Sequence, residues 1–486
     1  MKKKTLLLTL LAITYLPSCN NQIIKNEEEW KEDILYTKSG EEYKCRIMKI
    51  TTDSIYITTL DGSQKFPQNE IKSIDLAQKR EGFLWKTRKD ITDPVLLNGL
   101  ETNLSKFEDN RYVDIYCREQ LKIEEDSSYA YSLRLIRAIC SEKGRSAGNF
   151  SFEYLSKDER MEINFGRTIT KEGEVLHLRE NAIEDASIYS RIPPYENAKE
   201  SKIALREVKP GNFLDIKFTI YGKITEENPF ILETTAGSHG PALKTILRIE
   251  APRYFDVAWG NWKTKAPHLK FSGRNKIYEW EIDRLEAFED EENAPPKSYI
   301  FPRIIAGIDN NWGKISQSFI KSLQGKYNPE SEAPEEIYNE INSLIRFVDV
   351  PSNHFKCYPT ETDKILENKL ANSLDKASLL HSALISKGHP AELVLVRSKT
   401  RGELSKKVPS LYQFDGALVK LGNIYLDASS ELYPYGYIRT DYQGILGLSA
   451  TKNEFVKIPL FEPDKEKTFV SRIIDLNEKG QTKIEE

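Results

Sequence analysis

Between residues 33 and 76, apolar and polar positions alternate in five short runs: ILYTK, EYKCRIMKI, IYITTL, SQKF and EIKSIDL. Ser39-Gly40, Asp53-Ser54 and Asp61-Gly62 separate them. A period of two puts one set of side chains on one face of a strand, so the region predicts a strand meander. Asp61-Gly62 is the clearest hairpin signal, because both residues tolerate the positive φ of a tight turn. From about 100 to 290 the alternation continues in longer segments such as YAYSLRLIRAI, LDIKFTIYGKI and KIYEWEIDRL, cut by Gly and Pro. These predict an antiparallel, sandwich-like β-rich domain. The charged, proline-containing run Asp290-Glu291-Glu292-Asn293-Ala294-Pro295-Pro296 then breaks regular structure and marks a boundary. Beyond a second break at 328–334 a helix is expected through IYNEINSLIRF. A further helical pattern runs from Asp375-Lys376-Ala377 to near Gly388, and the strand AELVLVRSK follows it.

Composition changes this picture little. The chain of 486 residues is too long for one core and predicts about three domains. Hydrophobic residues make up 39%, charged residues 30%, and the net charge is −4, which gives no bias toward nucleic acid. Abundant Tyr (24) and Phe (20) beside only 3 Met favour strands over helical bundles. The basic-aromatic stretch KREGFLWKTRKDI at 79–91 reads as a solvated linker face rather than a nucleic-acid platform.

The N-terminus carries more information. Lys2, Lys3 and Lys4 precede a short apolar stretch that ends at Leu16-Pro17-Ser18-Cys19. That is a secretory-leader pattern, too short to span a bilayer. It resembles a bacterial lipobox, which implies cleavage at 18/19, lipidation of Cys19 and a durable acyl anchor to the envelope membrane. The alternative is a cleaved, soluble secreted protein in which Cys19 is incidental. Glu27, Glu28 and Glu29 lie in the polar tether that follows. The remaining cysteines, Cys45, Cys117, Cys140 and Cys357, form no C-x-x-C pair, which excludes a zinc ribbon. Cys117 and Cys140 are candidates either for a bridge or for buried free thiols.

The strand meander resembles the SH3-like or Sm-like β-barrels at the front of bacterial envelope proteins. The run from Arg167, RTITKEGEVLHLRE through LREVKPG to the strand after Gly211, resembles a domain of unknown function that precedes transglutaminase-like domains. Transglutaminase-like, papain-type domains carry G-D-C-K-D-K-A-x-L-L, then F-N-H-A, then L-D-P. The corresponding stretches are Ala371-Asn372-Ser373-Leu374-Asp375-Lys376-Ala377-Ser378-Leu379-Leu380, Phe414-Asp415-Gly416-Ala417 and Leu426-Asp427-Ala428. Pro434-Tyr435-Gly436 and Gln443-Gly444 resemble the closing loop of that family, and the likeness covers about 300–445. It implies an α+β domain in which Ser373 holds the nucleophile position, Gly416 the histidine position, and Asp427 alone remains of the triad. A serine needs a base to attack, and glycine supplies none.

Each of these positions also has a structural reading. Ser373, or Asn372, serves as helix N-cap, and Asp427 provides turn chemistry with Ser429 and Ser430. His381, eight residues along the helix, lies about 12 Å from Ser373, and His389 lies farther. His354 and Cys357 are the remaining local reserve. His177, His239 and His268 lack ligand spacing, so no metal and no cofactor are expected.

The expected organisation is thus a leader at 1–18, a tether at 19–31, a small barrel at 32–78, a β-rich domain at 100–290, a transglutaminase-like domain at 300–445 and an extension at 446–486. The resemblance implies a non-catalytic, lipid-anchored envelope protein. Its cleft, built from Asn372, Ser373, Asp375, Phe414 and Asp427 and widened by Gly416 and Ala371, would hold a peptide, glycan or protein partner. The alternatives are a residual amide hydrolase using Ser373 or Cys357, and a purely structural assembly partner. With the frame intact, Ser373→Cys together with Gly416→His is expected to restore thiol reactivity.

Overall fold

The computed structural model describes residues 33–485 apart from 51–52, 60–61, 76–84, 226–230, 290, 293, 309–310, 324, 353–356 and 463–469. The leader, Cys19, the tether, Asp61, Phe83 and His354 lie outside the described residues. Two compact units divide near Arg80.

In the first unit the expected meander forms one five-stranded antiparallel sheet. Its order is Gly62–Pro67, Ser54–Thr59, Glu42–Ile50, Asp33–Thr37, Ile71–Asp75, so the last strand returns beside the first. Leu35, Cys45, Ile55 and Ile57 are buried between the strands, with Tyr43, Phe66, Ile71 and Ile74 packed around them. Thr59 pairs opposite Gly62, the register of a two-residue hairpin connection.

The second unit is built on an eight-stranded sheet. Its order is Val175–His177, Arg160–Ile169, Phe213–Lys223, Ser128–Ile139, Tyr112–Ile123, Thr245–Pro252, Asn275–Ile282, His268–Ser272. The expectation of a purely antiparallel arrangement is corrected here, since Tyr112–Ile123 and Thr245–Pro252 run parallel. The chain between Tyr112–Ile123 and Thr245–Pro252 runs through Ser128–Ile139, Phe213–Lys223 and, in another sheet, Ile231–Thr235, and a parallel pairing requires such a long connection. Two three-stranded sheets cover the large one. Ile183–Ser187, Ala198–Ala204 and Asn149–Leu155 form one, contributing Ile203, Phe150 and Phe152 to a core with Leu135, Leu214 and Ile216. Ile231–Thr235, Arg303–Ile308 and Val257–Trp262 form the other, contributing Leu232, Ile304 and Ala306 to a core with Leu247, Ile249 and Trp280.

The strand Arg303–Ile308 moves the expected boundary at 290–300 downstream, because it pairs on both sides with strands of the β-rich region. The basic stretch also differs from its expected role. Lys86, Arg88 and Lys89 are exposed, but Trp85 lies 4.2 Å from the buried Arg167 guanidinium and packs on the core beside it.

The C-terminal half is α+β. Its five-stranded antiparallel sheet has the order Ile424–Leu426, Gly416–Leu421, Ala391–Val396, Leu446–Ser449, Glu454–Lys457. The last two strands lie in what was expected to be an extension, so the sheet continues past 445. The helix Ser373–Ser386 lies on this sheet, with ten of its residues buried, and Leu374, Ala377, Leu380 and Leu384 meet Leu393, Leu395 and Val419. Its buried face includes Ser373, Asp375, Lys376 and Ser378 as well as apolar residues, and Trp312–Ser322, Pro334–Leu344 and Thr362–Asn368 complete its cover. Beyond the sheet, Ile473–Leu476 and Thr482–Glu485 form an exposed hairpin. Among the described residues no helix is long and apolar enough to cross a membrane.

Candidate functional site

The N-terminal end of the helix Ser373–Ser386 abuts the first strand residues Gly416 and Ala417. Asn372, not Ser373, is the N-cap, its side chain accepting from the Asp375 N–H at 2.9 Å. Ser373 instead bonds across to the sheet: its hydroxyl accepts from the Ala417 N–H at 3.1 Å and donates to the Ala417 carbonyl at 3.3 Å. It is 6% exposed. Its proton is directed at a backbone carbonyl, and among the described residues no base reaches it to activate it as a nucleophile.

Gly416 sits beside Ser373, but it does not open the cleft. A methyl group built there would lie 2.2 Å from the Tyr442 hydroxyl oxygen and 2.8 Å from Ser373 Oγ. Tyr442 is buried with its ring 4.5 Å from the Arg439 guanidinium, and burial first, then the nearby Asp415, raise its phenol pKa. The phenol therefore stays a neutral donor and cannot serve as base. The space a side chain at 416 would need is occupied, so Gly416→His also requires Tyr442 to leave. The expectation of a widened cleft is corrected on that ground.

Asp427 is wholly buried and holds a turn. It accepts from the Ser429 N–H at 3.0 Å, from the Ser429 hydroxyl, and from the Arg439 N–H at 3.1 Å, with Arg439 Nε at 3.5 Å. Arg439 in turn packs its guanidinium on the Tyr442 ring beside Gly416. Asp375 is likewise buried in structural bonds: it accepts from the Thr360 N–H at 2.6 Å, from the Thr360 hydroxyl at 3.0 Å and from the Tyr195 hydroxyl at 2.9 Å. The Tyr195 oxygen in turn accepts from the Asn372 N–H at 2.9 Å. A turn of the β-rich region, Pro193–Tyr195, thus meets the helix start directly, and Tyr195 packs against Val348 and Val350.

Against this helix start lies a cleft of about 290 Å³, lined by Phe347, Asp349, Val350 and Pro351 on one side. Ser398, Thr400, Arg401, Asp415, Arg439, Asp441 and Tyr442 complete it around Ser373. Of the residues expected to form a cleft, Ser373 alone lines it. Phe414 is 1% exposed and stacks edge-on against Trp312 in the core, while Asn372, Asp375 and Asp427 are consumed by the bonds above. The sequence reading passed over Arg439, Tyr442 and Tyr195. Tyr442 directly precedes the Gln443-Gly444 landmark, and Tyr195 closes the Ile192-Pro193-Pro194-Tyr195 turn, so position next to a motif was the signal in both cases.

The other candidates lie apart from this cleft. Cys357 is buried, and burial pushes its thiol well above the usual range. His381 is lowered by burial on the helix, and His389 bonds the Glu332 carbonyl at 2.8 Å. Cys117 and Cys140 are free thiols. Cys117 pairs opposite Leu135, five residues before Cys140, which puts the two roughly 16 Å apart and beyond disulfide reach. Among the described residues no group of three or more His, Cys, Asp or Glu is arranged to hold a metal.

Comparison with curated proteins gives no match. Among solved structures the chain is similar to a Parabacteroides distasonis protein described as a "putative protease", with 17% identity, 72% of each chain covered and a TM-score of 0.63. At that identity the likeness concerns the fold. An M1 zinc metallopeptidase from Deinococcus radiodurans aligns over 40% of this chain and 42% of its own, with 10% identity and a TM-score of 0.22, too low to carry argument. Residues 125–289 match the model of a domain of unknown function, DUF3857, which places the β-rich region of this chain in that domain family.

Proposed function

We propose that the protein is a non-catalytic, lipid-anchored protein of the bacterial cell envelope, in which a degenerate transglutaminase-like, papain-type domain acts in binding or scaffolding. The observation that carries this reading is the packing at Gly416: Tyr442 occupies the position from which an imidazole would act, and the Ser373 hydroxyl is bonded to Ala417. An α+β domain with a helix end laid against an antiparallel sheet, directly after a DUF3857 domain, supports the transglutaminase-like assignment. The first unit, whose fifth strand returns to the first, supports an SH3-like module. Anchoring rests on Leu16-Pro17-Ser18-Cys19.

Titration calorimetry of the full mature chain against envelope peptides and glycan fragments tests the binding role, with a dissociation constant in the micromolar range expected. Heats indistinguishable from dilution across the whole set would reject it. Peptide or amide turnover that disappears in Ser373→Ala would establish the hydrolase instead. Cys19→Ala is expected to move the protein from the membrane fraction to the soluble fraction.

A further inference from the structure

The charges lining the cleft fall into two groups. Arg401 and Asp415 are already committed. Arg401 donates to the Gln413 and Tyr412 carbonyls and to Glu233, and Asp415 accepts from the Ser398 N–H at 2.9 Å and the Ser398 hydroxyl at 2.5 Å. Arg439, Asp349 and Asp441 are not. Arg439 Nε is buried and forms an ion pair with Asp427 at 3.5 Å without a hydrogen bond, and its two terminal nitrogens likewise have no hydrogen-bond partner among the described residues. The guanidinium is held between the rings of Tyr442, at 4.5 Å, and Phe347, at 5.8 Å. Its side chain is only 21% exposed, so its direction is set by packing. Asp349 and Asp441 are exposed and form no ion pair or hydrogen bond among the described residues, although Asp349 lies near enough to Arg439 to favour its charged form.

A fixed guanidinium fork with two open nitrogens matches a carboxylate, and exposed carboxylates beside it match ammonium groups. From this juxtaposition we propose that the cleft binds the end of a short peptide that carries a free terminal carboxylate, received by Arg439, and a basic side chain, received by Asp349 and Asp441. The inference rests on the binding role proposed above and names its ligand chemistry. The cleft volume of about 290 Å³ accommodates two or three residues of such a peptide. Two sources share this chemistry: the C-terminus of a protein, and a peptidoglycan-type stem peptide that ends in a diamino acid.

Calorimetry on the full mature chain uses Ala-Ala-Lys as the protein-type probe and L-Ala-γ-D-Glu-L-Lys as the stem-type probe. Each is prepared as the free acid, the C-terminal amide and the Nε-acetyl derivative. At least one free acid is expected to bind, its amide at least tenfold more weakly and its acetylated form several-fold more weakly, and the tighter free acid identifies the source. In Arg439→Gln the acid and amide of that peptide are expected to bind alike, and in Asp349→Asn/Asp441→Asn the acetylated and free forms. Because the amide and acetyl arms leave the protein untouched, they decide the matter even if Arg439→Gln does not fold. Equal affinity for acid and amide, or no binding of either acid, overturns the inference. A total digest of envelope peptides and glycans separates the two levels. Binding of the digest without acid–amide discrimination sinks the ligand assignment alone, and no binding of the digest sinks the binding role as well.

Discussion

Gly416→Ala is the sharpest probe of the site. The backbone at 416 is not left-handed, so alanine meets no conformational penalty and the cost comes from contact alone. The added methyl would lie 2.2 Å from Tyr442 Oη, 2.8 Å from Ser373 Oγ and 3.0 Å from Tyr442 Cζ, all well inside the roughly 3.5 Å at which non-bonded contacts become favourable. Tyr442 has little room to yield, because it packs with Val394, Val396, Leu418 and Ile438 and carries the Arg439 guanidinium on its ring. Overpacking of this kind costs about 1–3 kcal/mol. Pushing Ser373 off Ala417 adds about 1 kcal/mol. The expected total is about 2–4 kcal/mol, read as a lowered midpoint in urea unfolding of the full chain followed by tryptophan fluorescence. Tyr442→Phe removes the atom at 2.2 Å, so in that background Gly416→Ala should cost at least about 1 kcal/mol less. A Gly416→Ala chain within about 0.5 kcal/mol of the parent, or a cycle that is simply additive, would refute the filled-site argument.

Ser373→Cys with Gly416→His should gain no iodoacetamide reactivity at neutral pH, whereas adding Tyr442→Ala should allow some, and equal reactivity of both chains would show that Tyr442 is no obstacle. Tyr195→Phe leaves the buried Asn372 N–H without its acceptor and removes one of the donors to Asp375, so a loss of about 1–3 kcal/mol and faster amide exchange at Asn372 are expected; unchanged exchange would contradict the role given to this contact. Glu233 is pushed up by burial, but Arg397, Arg401 and Arg303 outweigh this and hold its carboxyl below the ordinary range. Glu233→Gln leaves those arginines uncompensated and should cost about 3 kcal/mol at pH 7. Because the folded carboxyl has the lower pKa, its contribution is complete above the unfolded value of about 4.3 and fades as pH falls through the folded value, so parent and variant should converge in acid. A gap that stays constant into acid would argue against the ion pairing. Cys357, buried with a raised thiol pKa, should be alkylated in native protein far more slowly than in urea, and comparable rates would remove it from the core.

Periodicity carried most of the fold. The alternation from Ile34 to Ile74 gave one sheet, although its fifth strand returns beside the first, and the helix through Leu374, Leu380 and Leu384 lies where its spacing required. What alternation could not reveal is which strands meet after a long connection. Thr245–Pro252 looks like any antiparallel strand until it pairs in parallel with Tyr112–Ile123, and Arg303–Ile308 looks like the start of a domain until it pairs with Ile231–Thr235. The site was less legible, since of the residues expected to form a cleft only Ser373 lines it. Ser373, Gly416 and Asp427 could be placed by motif, since each lies within a few residues of a recognisable run. Tyr442 and Tyr195 come from 26 residues beyond Gly416 and 178 residues before Ser373, and only the folded chain brings them to the helix end.

The motif positions do not by themselves argue for chemistry, because the three polar residues among them have structural work. The Ser373 hydroxyl ties the helix to Ala417, Asp375 ties it to Thr360 and Tyr195, and Asp427 organises Ser429 and Arg439. Each bond satisfies a buried group that would otherwise cost about 1–3 kcal/mol, so stability alone is enough to keep the frame. Stability does not explain Arg439. Its terminal nitrogens have no partner among the described residues although aromatic rings and Asp427 fix the side chain. A guanidinium evolved only to satisfy Asp427 would gain by closing its remaining bonds onto nearby carbonyls, as Arg401 and Arg397 do. That open fork on a packed stem is the feature from which the proposal of a carboxylate ligand starts.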